Sequence, residues 1–443
     1  MLEPSFPLFA TVWFGILAFS YGLVRPFLGL TLLFAGTTTL YVLLPAFFYV
    51  EEFKWFPHLI TACFGGVLGF WLGFTATSGF SERQLFRLGE QNFDGDRAVR
   101  VAVILGLSAA AVLFMTNPTF LQDVSSYESR IAFQGEHGSE AFLLNQIVIA
   151  VAVIGLVAIV QRRWFVAVLL SVLGVWWAFF SNHKLSLLTT LAVWFSWWLY
   201  EVWQGRATPR AGLIAFSLLP GTLAVLIFYE SFRGSDQGDF AVIFEMFLEN
   251  MASLGQLGIR VADFDGPYRV LITHLENDIS PSLLGETYLT QLNVLLPRFL
   301  RGEFSDLTEA YAQEHLGFTY MPGMGFAFSP WAEGYMNFGI GGFLIEAALF
   351  GIATGALMKL NQSILGSNPL ALFFCILCLA LFQRSYLVGH LKNIVVYVLP
   401  FLGIWDLLET MRVWATHPPG SAGSYVSLRG TKPNDPGNKQ HAH

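Results

Sequence analysis

Five basic residues and one acid are the side chains of this sequence best suited to chemistry. Arg130 in SSYESRIAFQG, Lys184 in SNHK, Arg233 in ESFRGSD, Arg298 in PRFLRGE and Arg384 in QRSY each stand near the end of a long apolar run. Guanidinium groups suit a diphosphate, because their planar fork engages two phosphate oxygens at once. Taken singly, each cation also has a plain structural reading, as the ion-pair partner of a nearby acid such as Glu128, Glu230 or Asp236, a contact worth little at a surface. Taken as a set, they point to a site for an anion. Lys184 is the most telling of them. The hairpin between Phe180 and Leu185 is so short that its amine either points into the bundle or snorkels to lipid headgroups. The acid is Glu333, in FSPWAEGYMNFGIGG, where a long polar loop meets an apolar run. A carboxylate there can take a proton or orient a hydroxyl, or simply favour its own helix dipole. Asn337, four residues on, shares its helical face, so that the two can grip one polar ligand, and Trp331 and Tyr335 beside it offer aromatic surfaces for a sugar.

The elements that must position these residues cross a membrane. Of the 443 residues, 54% are hydrophobic and only 12% charged, against about 25% charged in soluble domains. The apolar runs reach the ~20 residues that a helix needs to span the hydrocarbon core, and they lack the alternation of a barrel. The expected fold is therefore all-α and polytopic. About eleven spans (ten to twelve) are expected near Phe6–Leu23, Pro26–Val50, Leu59–Phe80, Val99–Met115, Ala141–Val160, Trp164–Phe180, Leu185–Tyr200, Ala211–Phe228, Ala332–Met358, Pro369–Leu387 and Asn393–Met411. Arg83, Arg87, Arg97, Arg100, Arg162, Arg163, Arg206, Arg210 and Lys359 fall on one set of connections, which the positive-inside rule makes cytoplasmic. The opposite set, including the long polar loop Glu230–Pro330, is then outside. The chain divides into a membrane bundle over 1–229, the outer loop over 230–330, a second bundle over 331–414 and a tail over 415–443 that is rich in Pro, Gly, Ser and Asn and reads as disordered. Within the loop, Asp239–Val261 reads as a helical stretch, DGPYRVLITHLEND as a turn and short helix, and GETYLTQLNVLLPRFLRGE as an amphipathic segment lying in the interface plane.

Several classes fall away. A net charge of −7 with no Lys/Arg run gives nucleic acid no surface. Cys63, Cys375 and Cys378 all lie in apolar runs, where the C-x-x-C of the last two reads as packing and not as a metal or redox pair. His274, His315 and His390 have no ligand spacing with one another; a general-base role stays open to one of them, and a surface position is expected. There is no phosphate-binding glycine loop and no G-x-S-x-G, and neither metal nor cofactor is expected. Ala347, Gly351 and Gly355 form a small-residue row that invites a close helix contact. Glu346 is expected three to four turns into the same helix, a depth at which an acid needs a partner or a wet cavity.

GETYLTQLNVLLPRFLRGE, followed some thirty residues later by FAFSPWAEGYMNFGIGG, resembles the outer-loop and following-span signature of the Wzy-type O-antigen and exopolysaccharide polymerases, the oligosaccharide repeat unit polymerases of bacteria. The matching features are a Gly-x-x-Tyr opening, the Pro297-Arg298 pair and the Ala-Glu-x-Tyr-x-Asn-Phe-Gly run from Ala332 to Gly339. FFSNHKLSLL and QRSY are similar to the family's short basic hairpin and its late outer arginine. The chain departs from the family in having GEFSDL where a Lys-Pro often follows the Pro-Arg pair. The resemblance implies a GT-C-like glycosyltransferase of the bacterial inner membrane that joins undecaprenyl-diphosphate-linked repeat units at the periplasmic face. It implies that Arg130, Lys184, Arg233, Arg298 and Arg384 stabilise the departing diphosphate, and that Glu333 deprotonates or orients the acceptor hydroxyl. The partners it implies are lipid-linked oligosaccharides, membrane lipids and a chain-length-regulating copolymerase. An O-antigen ligase, and a polysaccharide flippase or other transporter, stay open as alternatives.

Overall fold

The computed structural model describes residues 8, 11–18, 30–47, 49, 54–78, 93–119, 138–180, 184–203, 228, 231, 240–252, 265–276, 283–296, 307–308, 310–311, 328–365 and 368–416. Among these, every regular element is helical. Arg130, Arg233 and Arg298 lie outside the described residues, as do the expected span Ala211–Phe228 apart from its last residue, half of Phe6–Leu23, and the tail beyond 416. The chain divides into two units, Met1–Trp405 and Asp406–His443, and the site belongs to the first.

In chain order the helices are α1 (Leu30–Thr38, running on through a π turn Thr39–Leu43 and a 3-10 turn Pro45–Phe47), α2 (Phe56–Ser78), α3 (Gly95–Thr116), α4 (Gly138–Val160), α5 (Trp164–Phe180) and α6 (Lys184–Trp203). The loop contributes α7 (Phe240–Ala252), α8 (Asp265–Glu276) and α9 (Glu286–Gln291, ending in a 3-10 turn Leu292–Leu295). There follow α10 (Pro330–Phe338), a 3-10 turn Gly339–Gly341, α11 (Gly342–Leu365), α12 (Asn368–Phe382), α13 (Leu387–Tyr397) and α14 (Leu399–Thr416). Six stretches among the described residues are long and apolar enough to cross a membrane: Leu30–Phe47, Phe56–Ser78, Gly95–Thr116, Phe142–Val160, Pro330–Leu365 and Leu387–Arg412, with Trp164–Phe180 and Pro369–Phe382 shorter. The protein is an α-helical, membrane-embedded one.

The centre of the bundle is the pairing of α2 with α11. A Cβ on Gly69 would come 2.2 Å from the Leu344 carbonyl oxygen, one on Gly73 2.0 Å from that of Ala348, and one on Gly351 2.3 Å from that of Phe70. Only glycine lets two backbones approach so closely. The Ala347, Gly351, Gly355 row thus finds its partner in glycines spaced four apart on α2. Around this seam Phe34, Phe70, Phe350 and Phe382 stack, with the rings of Phe350 and Phe382 only 3.9 Å apart.

Two ion pairs fasten opposite kinds of turn. Lys54, just before α2, meets Glu276 at the end of α8 at 3.0 Å, so the connection Glu51–Pro57 and the long loop lie at the same end of the bundle. Arg162, in the turn between α4 and α5 with φ 62°, reaches Glu201 of α6 at 2.8 Å. Arg97 of α3, on the expected cytoplasmic set, donates to the Trp405 carbonyl at 2.8 Å and lies over its ring.

One expected span is not continuous. The stretch Ala332–Met358 breaks at Gly339, whose φ of 61° and ψ of −146° no residue with a Cβ adopts readily. The chain then folds back so tightly that a Cβ on Gly342 would lie 1.8 Å from the carbonyl oxygen of Gly334. Glu346 is therefore barely one turn into α11, not three to four turns deep, and it comes beside α10. The expected spans Pro369–Leu387 and Asn393–Met411 are likewise recut. α12 stops at Phe382, a turn carries Gln383–Tyr386, and α13 begins at Leu387.

Candidate functional site

The short helix α10 is built to start abruptly. Ser329 caps it by accepting the Ala332 amide at 3.4 Å, and Pro330 sets the first turn. Glu333 then falls in that first turn with no solvent exposure. Its own helix is not its only partner. Oε1 accepts the Thr287 hydroxyl of α9 at 3.0 Å, and Oε2 accepts the backbone N–H of Leu387, the first residue of α13, at 2.7 Å. One carboxylate thus ties the loop, α10 and α13 together, and it serves the N-terminus of a second helix as an anionic cap.

Asn337 does share the face of Glu333, and the structure brings the two together. Its amide Nδ2 donates to Thr287 Oγ1 at 2.6 Å and to the Glu333 carbonyl at 2.9 Å, while Oδ1 accepts the Gly285 N–H at 3.0 Å. Partners of fixed polarity leave the amide one orientation. The hydroxyl of Thr287, already an acceptor from Asn337, is thereby directed at Glu333. Gly285 makes this possible with φ 91°.

The second acid completes the group. Tyr288, in the next position of α9, donates its hydroxyl to Glu346 Oε2 at 2.5 Å. Burial, and then the neighbouring Glu346 carboxylate, push the Tyr288 phenol far above its ordinary range, so it stays a donor at every working pH. Glu346 is fully buried and adjoins Glu333. Sequence reasoning left Thr287 unmarked and gave Tyr288 only the tyrosine of the Gly-x-x-Tyr opening, which was the one signal available for it.

The aromatic neighbours sit differently. The indole of Trp331 is 1% exposed and donates to Gln383 Oε1 at 2.9 Å, and Gln383 in turn donates to Thr38 of α1 at 2.9 Å. Its ring is enclosed by Phe34, Phe343, Phe382 and Gly66, so in this arrangement it has no free face for a sugar. Tyr335 is 9% exposed and stacks on Phe343 at 6.1 Å.

The amphipathic segment behaves unusually. α9 is six residues long, and Leu296 turns extended before Pro297, as the residue preceding a proline prefers. Its leucines Leu289, Leu292 and Leu295 point outward, and Thr287, Gln291 and Val294 point in. An apolar cluster of Val270, Val294, Tyr311, Phe328, Ala332, Tyr386 and Val388 seats α8 and the α9 segment on α10 and α13. His274, expected at the surface, is buried in this layer, its Nδ1 2.7 Å from the Val270 carbonyl and its ring between Tyr311 and Phe328. His390 is also buried, on α13.

Of the five cations, Arg384 is described and half-buried in the turn leading to Leu387, three residues from the amide that holds Glu333. Lys184 opens α6, and its side chain lies outside the described part. Among the described residues no three His, Cys, Asp or Glu side chains converge as metal ligands would. No family model, no curated protein and no solved structure matches this chain.

Proposed function

We propose that the protein is a GT-C-type glycosyltransferase of the bacterial inner membrane, with about eleven spans, that polymerises undecaprenyl-diphosphate-linked oligosaccharide repeat units at the periplasmic face. The observation that carries this reading is a buried acid with both oxygens held by oriented donors, a second acid beside it, and Arg384 on the adjoining turn. Transfer from a lipid diphosphate needs an acid or base at the acceptor hydroxyl and fixed positive charge at the leaving group.

In this mechanism the acceptor hydroxyl oxygen forms the new glycosidic bond while the bond from the donor sugar to the diphosphate oxygen breaks. The electron pair leaves with the diphosphate, whose charge Arg130, Lys184, Arg233, Arg298 and Arg384 share. The acceptor proton passes to Glu333, whose Oε2 the Leu387 N–H keeps in register, while Asn337 binds the acceptor sugar in place of Thr287. Substrate reaches the acid when α9 lifts from α10, breaking the bond between Thr287 and Glu333. The outward leucines of α9 keep the segment at the lipid surface while it moves. A chain-length-regulating copolymerase is the protein partner this reading calls for.

The folded-back α10 with acids behind it favours one other reading, a carrier, since broken helices and buried acids also build transport sites. The two separate in detergent solution, where no compartments exist. Purified protein incubated with lipid-linked repeat units is expected to yield a ladder of lengths on a gel. Absence of any ladder, with solute movement in sealed liposomes, would overturn the polymerase.

A further inference from the structure

α11 carries a row of polar atoms that nothing in the protein satisfies. Winding at about 100° per residue, Glu346, Phe350, Thr354, Leu357 and Asn361 fall within a sector of about 80°. Glu346, Thr354 and Asn361 are fully buried, and so is His390 of α13, whose ring stands edge-on to Phe350 at 4.5 Å. Thr354 Oγ1, both amide atoms of Asn361 and both ring nitrogens of His390 have no hydrogen-bond partner in the protein. One His390 nitrogen can direct its hydrogen at a neighbouring phenyl ring, a weak contact; the other cannot be served that way.

Thr354 makes the point by contrast. Thr39, Thr61, Thr75 and Thr77 each donate to the carbonyl four residues back, the local bond open to any helical threonine. Thr354 does not, so its hydroxyl is left for something else. Burying such groups unpaired costs about 1–3 kcal/mol apiece, and native structures satisfy nearly all of them with protein or ordered water. The opposite face of α11, where Gly351 and Gly355 meet α2 backbone to backbone, has no such atoms.

The spacing fits one ligand. From Glu346 to Asn361 the helix rises about 22 Å, with the His390 ring about 6 Å along, Thr354 about 6 Å further and Asn361 about 10 Å beyond that. Those gaps are the lengths that one to three waters bridge. The row begins at the acid pair under α9 and ends at Asn361, level with the exposed Lys359 on the far side of the helix. We propose that this face of α11, with His390 across from it, holds a file of ordered waters joining the acid pair to the Lys359 end of the bundle. The file gives Glu346 and Glu333 contact with water from the side opposite the polar loop, and it stands independently of the sugar chemistry.

X-ray radiolysis tests it on the intact protein, because bound water yields hydroxyl radicals in place and these oxidise the buried side chains beside it. Phe350 on the file and Phe373 away from it are both fully buried. Phe350 is expected to be oxidised clearly faster than Phe373, as a residue touching ordered internal water should be. Met358, 1% exposed beside the row, should lose most of its oxidation in the double variant Thr354→Val, Asn361→Leu, and keep it in the lipid-facing control Ile352→Leu. Equal rates at Phe350 and Phe373 would overturn the file whether or not the double variant folds.

Discussion

The backbone N–H of Leu387 donates to Glu333 Oε2 at 2.7 Å, so the first turn of α10 caps the first turn of α13 across 54 residues of chain. An acid placed there holds two helix starts and a loop helix with one side chain, and the site's geometry depends on it.

Glu333→Gln tests both halves of that statement. The amide keeps the shape but has a single acceptor oxygen for two donors, Thr287 and Leu387. Loss of a charge-assisted bond at a buried site costs about 1.5–3 kcal/mol. The variant is expected to insert and fold with a lowered Tm and to give no polymer ladder. Ladder formation near the wild-type level would leave Glu333 a structural cap alone.

Tyr288→Phe removes one hydroxyl and keeps the ring against Phe338. Glu346 Oε2 then loses its donor in a fully buried position, a change worth about 1–3 kcal/mol. The phenol stays protonated across the working range, so it is a donor throughout, and the variant is expected to melt below wild type at pH 6 and at pH 9 alike. A Tm equal to that of wild type at both would mean that the contact is not a standing hydrogen bond.

Much of this site was legible in the letters and some of it was not. Glu333 and Asn337, four apart, announce a shared face, and the small residues of α11 announce a close helix contact. The turn at Gly339–Gly342 is spelled by three glycines in four residues, yet the apolar letters on either side read as one uninterrupted span. That misplaced Glu346 by two to three turns. The bond from Leu387 to Glu333 and the burial of Trp331 and His274 arise from packing between distant segments. No local pattern encodes them.

The cation set makes its own prediction. A departing diphosphate is neutralised either by a metal on carboxylates or by fixed cations. With Arg384 on the turn beside Glu333, and Arg130, Lys184, Arg233 and Arg298 on four other connections, the second route is expected. Ladder formation should persist in excess EDTA and fall about a hundredfold in kcat for Arg384→Ala. Arg384→Lys, which keeps charge and loses the fork, should fall between. Activity abolished by EDTA and restored by magnesium or manganese would overturn the cation clamp.

The fold-back of α10 onto α11 has its own test in a pair of adjacent glycines. Gly341 has nothing within 4 Å of where a Cβ would stand, whereas a Cβ on Gly342 would lie 1.8 Å from the Gly334 carbonyl oxygen and 2.3 Å from its carbon. Backbone atoms cannot swing aside as a side-chain tip can, so α10 and α11 would have to part. Parting them withdraws Glu333 from Leu387 and Glu346 from Tyr288 together, which adds to the ~1–3 kcal/mol of ordinary overpacking. Gly341→Ala is therefore expected to purify as a sharp monodisperse peak with a Tm near wild type, and Gly342→Ala to be lost to aggregation or to melt well below it. Equal behaviour of the two variants would mean that α10 does not fold back, and the carboxyl pair would go with it.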